Sequence, residues 1–353
     1  MKALFLAGGM GTRLQPLTDN LPKPMVPILN KPLLERTMEG LKRCGITEII
    51  ISTCFHPEYI KKYFGDGTDI NMRIKYTVEK TPMGTGGAIK MAEEYFKESF
   101  IVFNSDILSD IDFNKMITFH KSKKAIATIA VTKVKETSIY GVIEYDASGY
   151  ASVFKEKPKP GESDSKSINA GIYIFEPDIF KEIASDRAVS IEREIFPKLL
   201  NQKQKISIYQ SNCYWMDIGT VEKYRQAHWD TMNGKCKLVD GDFINDRIRY
   251  GNNVSIHPSS NIVGPAYIGD NVTIGAGIII EHSVIGNNVS IGTDSIIIGS
   301  IVWDNVIISR DAYLVDAVVT DSCCEENETS LIKAVTIIKS LCPRKEPADK
   351  ANR

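Results

Sequence analysis

At 353 residues, 43% of them hydrophobic, the chain is long enough for two domains, each with a core of its own. Its 43 Lys and Arg against 44 Asp and Glu give a net charge of −1, so there is no electrostatic case for nucleic acid or an anionic membrane as partner, and any basic site must be local. The N-terminal apolar run is too short for a signal-peptide core and no segment approaches the roughly 18 apolar residues of a membrane span, which makes the cytoplasm the expected compartment.

Taken in chain order, the first 230 or so residues alternate short β-branched runs with helical patterns, the mark of a layered α/β domain. Strands are expected over 2–7, 48–53, 74–77, 100–104, 125–132, 141–145 and 171–175, and helices over 32–44, 57–64, 87–96 and 112–120. The first strand runs into three glycines in four positions, Gly8, Gly9 and Gly11, where a backbone without Cβ atoms can approach a ligand closely. In sheets of this kind ligands collect at the carboxyl ends of strands, and this loop sits at one.

From about residue 250 the texture changes. Ile256, Ile262, Ile268, Ile274 and Ile280 recur every six residues, and after a slip of one the series resumes at Ile285, Ile291 and Ile297. A six-residue aliphatic period with turn residues between fits neither a helix nor an alternating strand; it is that of a hexapeptide β-helix, each isoleucine pointing into a narrow triangular core. Past about 320 the repeat stops, and 329–342 has the spacing of a helix whose apolar face would be Leu331, Ala334, Val335, Ile338 and Leu341, followed by a solvated tail from 344 to 353. The expected domains are 1–232, 249–320 for the β-helix, and 321–353 for the terminal helix and tail.

Two common readings of a glycine-rich first turn fail. A Walker loop needs Gly-Lys-Ser/Thr at its end, and here Gly11 is followed by Thr12 and Arg13. A dinucleotide fingerprint would place its third glycine at Leu14 and an acidic residue after the second strand, which instead ends in Thr53 and Cys54. What remains is a set of backbone amides, the Arg13 guanidinium and the Lys23 ammonium, held between Pro22 and Pro24 in a restricted backbone. Amides, Arg and Lys together suit a polyphosphate. The five histidines are far apart in sequence, and the seven scattered cysteines, without CxxC spacing, read as reduced thiols.

Further along lie Pro82-Met83-Gly84-Thr85-Gly86-Gly87-Ala88, Asn104-Ser105-Asp106, Tyr140-Gly141-Val142, Glu156-Lys157-Pro158, Ile168-Asn169-Ala170-Gly171 and Trp215-Met216-Asp217-Ile218-Gly219. With the opening loop these seven motifs, in this order, resemble the sugar-1-phosphate nucleotidyltransferases. Within that superfamily the Lys-Pro-Met-Val-Pro run from Lys23, Ser190 to Pro197 and the Trp-Met-Asp-Ile-Gly turn most resemble mannose-1-phosphate guanylyltransferase, or GDP-mannose pyrophosphorylase. Gly84-Thr85-Gly86-Gly87-Ala88 departs from that family's usual G-T-A-G-P and also resembles heptose-1-phosphate guanylyltransferases.

The resemblance implies a three-layer domain with a Rossmann-like mixed sheet, followed by a left-handed parallel β-helix. It implies attack of a sugar 1-phosphate on the α-phosphorus of a nucleoside triphosphate, giving a nucleoside-diphosphate sugar and pyrophosphate. Leu6, Ala7, Gly8, Gly9, Gly11, Thr12, Glu79, Pro82, Gly84 and Thr85 would bind the nucleotide. Arg13 and Lys23 would grip the triphosphate; Gly141, Glu156, Lys157 and Asn169 would bind the sugar phosphate. Asp106 and Asp217 would hold Mg²⁺, with Asp110 and Asp112 as rivals, Asp112 better suited to capping the helix that follows. A phosphate monoester is already largely ionised at pH 7, so no general base is required, which accounts for the lack of any acid–base pair or Ser/His/Asp set in the sequence.

Base choice would rest on Glu79. Members of the resembled family that use thymidine or uridine triphosphates carry Gln there, whereas a carboxylate, an acceptor only, matches the N1–H and N2–H₂ donors of guanine. The plainer reading makes Glu79 and Lys80 an exposed pair at a strand end. Two other functions stay open: acyl transfer on the β-helix, for which His257 and His282 are the available bases, and a silent relative that binds nucleotide sugars. Self-association through the β-helix is expected, with GTP and a sugar 1-phosphate as small-molecule partners.

Overall fold

The computed structural model describes residues 1–185, 187–238 and 247–320, with the backbone of 331–332 and 337–338. The chain forms two compact units, one of Met1–Val26 and Pro32–Lys223, the other of Pro27–Lys31 and the residues from Tyr224 onward.

In the first unit a nine-stranded mixed sheet is buried on both faces. That is why its strands read as near-continuous apolar runs: along Ala3–Ala7, Ala3, Phe5 and Ala7 enter one core cluster and Leu4 the other. Helices Leu33–Arg43, Pro57–Phe64 and Phe113–Lys123 supply Met38, Leu41, Ile60, Phe64 and Met116 to the first cluster. Helix Gly84–Met91 supplies Ile89 to the second. Strands Ala3–Ala7, Glu48–Thr53 and Arg73–Val78 lie side by side and parallel; the chain then returns to place Phe100–Asn104 on the opposite side of Ala3–Ala7. The order therefore reverses between Ala3–Ala7 and Phe100–Asn104, and loops leaving the two carboxyl ends diverge around a crevice.

Ser167–Phe175 lies antiparallel to Phe100–Asn104 and begins four residues before the expected start. Its register slips between Asn169 and Tyr173, with Gly171 at φ 70°, and this bulge hides the strand's first half from an alternating pattern. Strands Ala151–Glu156 and Ile206–Gln210, and the ribbon of Ile107–Ser109 with Trp215–Asp217, were not expected from the sequence. The helix expected at 87–96 starts instead at Gly84 and ends at Met91, because contact with Val189 outweighs the low helix propensity of three glycines.

The second unit is a left-handed parallel β-helix of three sheets. Ile256, Ile274, Ile291 and Ile308 stand in register on one sheet, and Ile262, Ile280, Ile297 and Leu314 on another. Each corner needs a left-handed residue: Asn271, Asn288 and Asn305 occupy one (φ 56°, 56° and 62°), and His282 and Asp316 another (47° and 55°). The asparagines also form a ladder, Asn253 to Asn271 at 3.1 Å, then Asn288 and Asn305 at 3.0 Å steps. His282 is thus a corner residue, and His257 bonds Ser259 at 2.8 Å in a coil turn.

The terminal helix requires correction. Leu331–Ile332 and Ile337–Ile338 are strands that pair parallel with Tyr313–Leu314 and Val318–Val319 and so continue two of the sheets. Leu331 and Ile337 keep the coil's own six-residue interval, and a run of β-branched residues fits a strand better than a helix. The remainder of that expected helix and the tail lie outside the described residues.

Asn288→Ala forces a Cβ-bearing residue without a local amide into left-handed backbone, at about 1–2 kcal/mol, and breaks two ladder bonds. Asn288→Gly loses the ladder alone. Thermal denaturation is expected to rank wild type above Asn288→Gly and that above Asn288→Ala.

Candidate active site

A cavity of about 480 Å³ opens at the reversal point, within the size range of small-molecule sites. Every residue read from the sequence as nucleotide-binding lines it: Leu6, Ala7, Gly8, Gly9, Gly11, Thr12, Glu79, Pro82, Gly84 and Thr85, joined by Arg13, Lys23 and Asp106. They meet because they leave adjacent strand ends. Gly11 takes φ 66° to start the short 3₁₀ turn Thr12–Leu14, and a Cβ there would lie 3.0 Å from that of Lys23. A Cβ on Gly8 would lie 2.9 Å from Glu79 Oε1, so glycine at this place makes room for the carboxylate.

Glu79 is 6% exposed, which removes the exposed-pair reading for it. Its Oε1 accepts from Ser52 Oγ at 3.1 Å and its Oε2 from the Met83 amide at 2.8 Å. One bond to each oxygen leaves acceptor capacity on both.

The glycines of helix Gly84–Met91 serve packing. A Cβ on Gly84 (φ 71°) would lie 2.6 Å from the Val189 carbonyl oxygen, and one on Gly86 2.9 Å from Val189 Cγ1. That carbonyl accepts from the Gly86 and Gly87 amides at 2.8 and 3.3 Å, so these first-turn donors already have a partner. Gly86, where the resembled family has alanine, thereby admits Val189.

A second cavity, of about 150 Å³, shares Arg13, Asn104 and Asp106 with the first and adds Tyr140, Gly141, Glu156, Asn169, Glu192 and Asp217. Gly141 is again a spacer, since a Cβ there would be 2.8 Å from Glu156 Oε2. Burial pushes the Glu156 carboxyl above its ordinary value, with the charge of Glu192 adding to the shift. Asn169 is held on both sides: Oδ1 accepts from the Gly171 amide at 3.0 Å and Nδ2 donates to Tyr173 at 2.7 Å. Lys157 is not brought in. It follows the last residue of its strand at φ 52°, its side chain is 55% exposed, and its Nζ lies 4.0 Å from Glu156 Oε1. The left-handed backbone at Lys157 ends the strand, and its side chain lies in solvent while that of Glu156 lines the cavity.

Asp106 and Asp217 sit side by side. Asp217 stands opposite Ile107 in the two-stranded ribbon, and the Ile218 amide donates to the Asp106 carbonyl at 2.8 Å. Lys23 meets Asp106 Oδ2 at 2.6 Å, so the lysine read as a triphosphate ligand is paired with a carboxylate. Asp217 Oδ1 accepts from Tyr140 at 2.6 Å and from Lys223. Burial and the Asp217 charge raise the Tyr140 phenol well above its ordinary value, which keeps it a neutral donor. The rivals are occupied elsewhere: Asp112 caps its helix on the Lys115 amide at 3.0 Å, and Asp110 accepts from the Tyr214 amide at 2.7 Å.

Two site residues escaped the sequence. Lys223 belongs to no motif and stands at the start of helix Val221–Met232. Glu192 lies within the Ser190–Pro197 stretch, where nothing in the sequence singles it out; the π-helical turn Ile191–Ile195 that carries it is a rare conformation frequent at functional sites.

Comparison with known proteins accords with this geometry. The family described as Nucleotidyl transferase matches residues 2–234. The chain is 36% identical to the mannose-1-phosphate guanyltransferase of Schizosaccharomyces pombe over 78% of its own length and 73% of that protein's. It is 35% identical to the UTP–glucose-1-phosphate uridylyltransferase of Synechocystis over 79% and 76%. Among solved structures, HddC from Yersinia pseudotuberculosis complexed with GMP-PN superposes with a TM-score of 0.56 at 32% identity, covering 65% of this chain and 99% of that one. The chain belongs to the nucleotidyl transferase family, as an enzyme that acts on sugar 1-phosphates. Among the described residues no helix is long and apolar enough to cross a membrane.

Gly84→Ala is expected to destabilise by about 1–3 kcal/mol through strained backbone and contact with Val189, whereas Gly9→Ala, with nothing within 4 Å of the new methyl, is expected to leave stability unchanged. Urea denaturation of the two variants checks this.

Proposed function

We propose that the enzyme transfers GMP from GTP to a sugar 1-phosphate, most directly mannose 1-phosphate, with Mg²⁺, and releases pyrophosphate. The observation that carries the choice of base is Glu79, a buried, acceptor-only carboxylate with spare lone pairs in the larger cavity. Mannose-1-phosphate guanyltransferases from several organisms among the relatives, and the GMP-PN complex of HddC, support the same choice.

The donor set fits a magnesium ion. Asp106 and Asp217 are adjacent hard-oxygen donors, and Mg²⁺ takes one or two carboxylates with phosphate oxygens and water for the rest. In the wall of the second cavity Asp106, Glu156, Glu192 and Asp217 face Arg13, and with Asp106 paired to Lys23 and Asp217 to Lys223 the two glutamates keep only weak counter-charge. When bound there, the ion would neutralise charge on the phosphates. Arg13, common to both cavities, is placed to neutralise charge on the reacting phosphates, whereas Lys157, with its side chain 55% exposed, would reach the sugar phosphate only by swinging in from solvent. An oxygen of the sugar phosphate attacks the α-phosphorus, the bond to the pyrophosphate oxygen breaks, and pyrophosphate leaves with the electron pair. The nucleophile is ionised beforehand, so the protein's contribution is alignment and electrostatics. Self-association through the β-helix belongs to the same reading, supported by the apolar residues Ile279, Ile296 and Ile298 flanking the buried row of one sheet.

Asp106→Asn and Asp217→Asn are each expected to lower turnover at least about a hundredfold by removing charge next to the transferring phosphate. Near-normal rates at saturating Mg²⁺ would remove either residue from that role.

Glu79→Gln replaces two acceptor oxygens by one, leaving one guanine donor unmatched at about 1–3 kcal/mol. The ratio of kcat/KM for GTP to that for dTTP is expected to fall roughly ten- to a hundredfold. A wild-type preference for UTP, dTTP or ATP would overturn the guanine assignment, and a preference for UTP would favour the reading to which the Synechocystis uridylyltransferase points.

A further inference from the structure

Glu192 is tied to the walls of both cavities. Its Oε2 accepts from Thr85 Oγ1 at 2.6 Å and Ser190 Oγ at 2.9 Å, and Thr85 Oγ1 accepts in turn from the Ile191 amide at 2.9 Å. Two strong donors fill that oxygen. Its Oε1 is different: Tyr173 reaches it at 3.3 Å, long for a hydroxyl donor, while Asn169 donates to the Tyr173 oxygen at 2.7 Å. Oε1 therefore keeps acceptor capacity in a cavity that it lines.

The other carboxylates of this cavity are differently placed. Asp106 is paired with Lys23, and Asp217 with Lys223. Glu156 has Lys157 at 4.0 Å, but that ammonium belongs to a side chain more than half in solvent. Glu156 and Glu192 are thus two acceptors with weak counter-charge facing one small cavity. A neutral hydroxyl donates to such oxygens with charge assistance. A carboxylate or second phosphate brought beside them meets like charge in a partly desolvated space.

We propose that Glu192 is a sugar-recognition residue which, paired with Glu156, admits sugar 1-phosphates whose ring bears only neutral hydroxyls and excludes rings with a second anion, such as uronic acid 1-phosphates and hexose bisphosphates. This rests on the reading of the second cavity as the sugar-phosphate pocket. Glu192 discriminates by donating nothing and accepting everything, and its fixed bond to Thr85 keeps it in register with the nucleotide-side wall.

The test measures kcat/KM for mannose 1-phosphate, glucose 1-phosphate and glucuronate 1-phosphate with one nucleoside triphosphate, in wild type and Glu192→Gln. Wild type is expected to favour the neutral sugars at least about a hundredfold. Glu192→Gln is expected to lose about tenfold on neutral sugars, chiefly through the KM for sugar phosphate, and to narrow the neutral-to-uronate ratio by about tenfold. An equal loss on all three sugars with the ratio unchanged would make Glu192 a structural residue and overturn the proposal. So would wild type that uses glucuronate 1-phosphate as well as mannose 1-phosphate, a comparison that needs no variant to fold. Absence of turnover with every sugar 1-phosphate is a different outcome and overturns the underlying reading.

Discussion

Five carboxylates line the two adjoining cavities, and the partnering of four of them organises the residues around them. An unpaired buried charge is costly, and four of them have close donors: Ser52 and the Met83 amide for Glu79, Lys23 for Asp106, Tyr140 and Lys223 for Asp217, Thr85 and Ser190 for Glu192; Glu156 has Lys157 at 4.0 Å. Several of these donors come from segments distant in sequence; Thr85 and Glu192 are 107 residues apart, Tyr140 and Asp217 77. The sheet reversal brings the strand ends together, and the carboxylates then bind the loops to one another. The site is in this sense a set of compensated charges arranged about a crevice.

The glycines follow from the same constraint. Gly8 and Gly141 leave space for the oxygens of Glu79 and Glu156, and Gly84 and Gly86 let the Val189 segment reach the start of a helix. A glycine-rich turn after a first strand suggests phosphate binding through backbone amides. Here part of its work is to admit carboxylates, and two amides of the second glycine-rich stretch are taken by a carbonyl. Composition alone could not separate these uses, because the cause is a neighbour far away in the chain.

Much of the fold was legible for physical reasons that also explain the failures. Strands buried on both faces announce themselves as apolar runs, and Glu48–Thr53, Phe100–Asn104 and Gly141–Tyr145 were read to the residue. Ala151–Glu156, with Ser, Lys and Glu among its six residues, lacks that signal, and Ser167–Phe175 loses it at its bulge. The ten residues read as nucleotide-binding share one cavity because they sit in motifs at strand ends. Lys223 and Glu192 are tied to partners far away in the chain, and Lys157 stands outside because the chain leaves the strand in left-handed backbone just after Glu156. At the C-terminus a six-residue interval also fits a helical face, since without asparagine or glycine corners the two periods look alike over so short a run.

The coil corners carry a consequence for how this chain can vary. Each coil contributes one strand to each of three sheets, so the β-helix can lengthen or shorten only by whole coils if its inward rows are to stay in register. Within a coil, slack exists only at the corners: the interval from Ile262 to Ile268 is one residue longer than those from Ile280 to Ile285 and from Ile297 to Val302, yet the rows align. Length in this unit is therefore quantised, with single-residue tolerance confined to three edges of the prism. A loop grafted at such an edge would leave the stack intact, whereas one residue added within a strand would turn an isoleucine row to the outside.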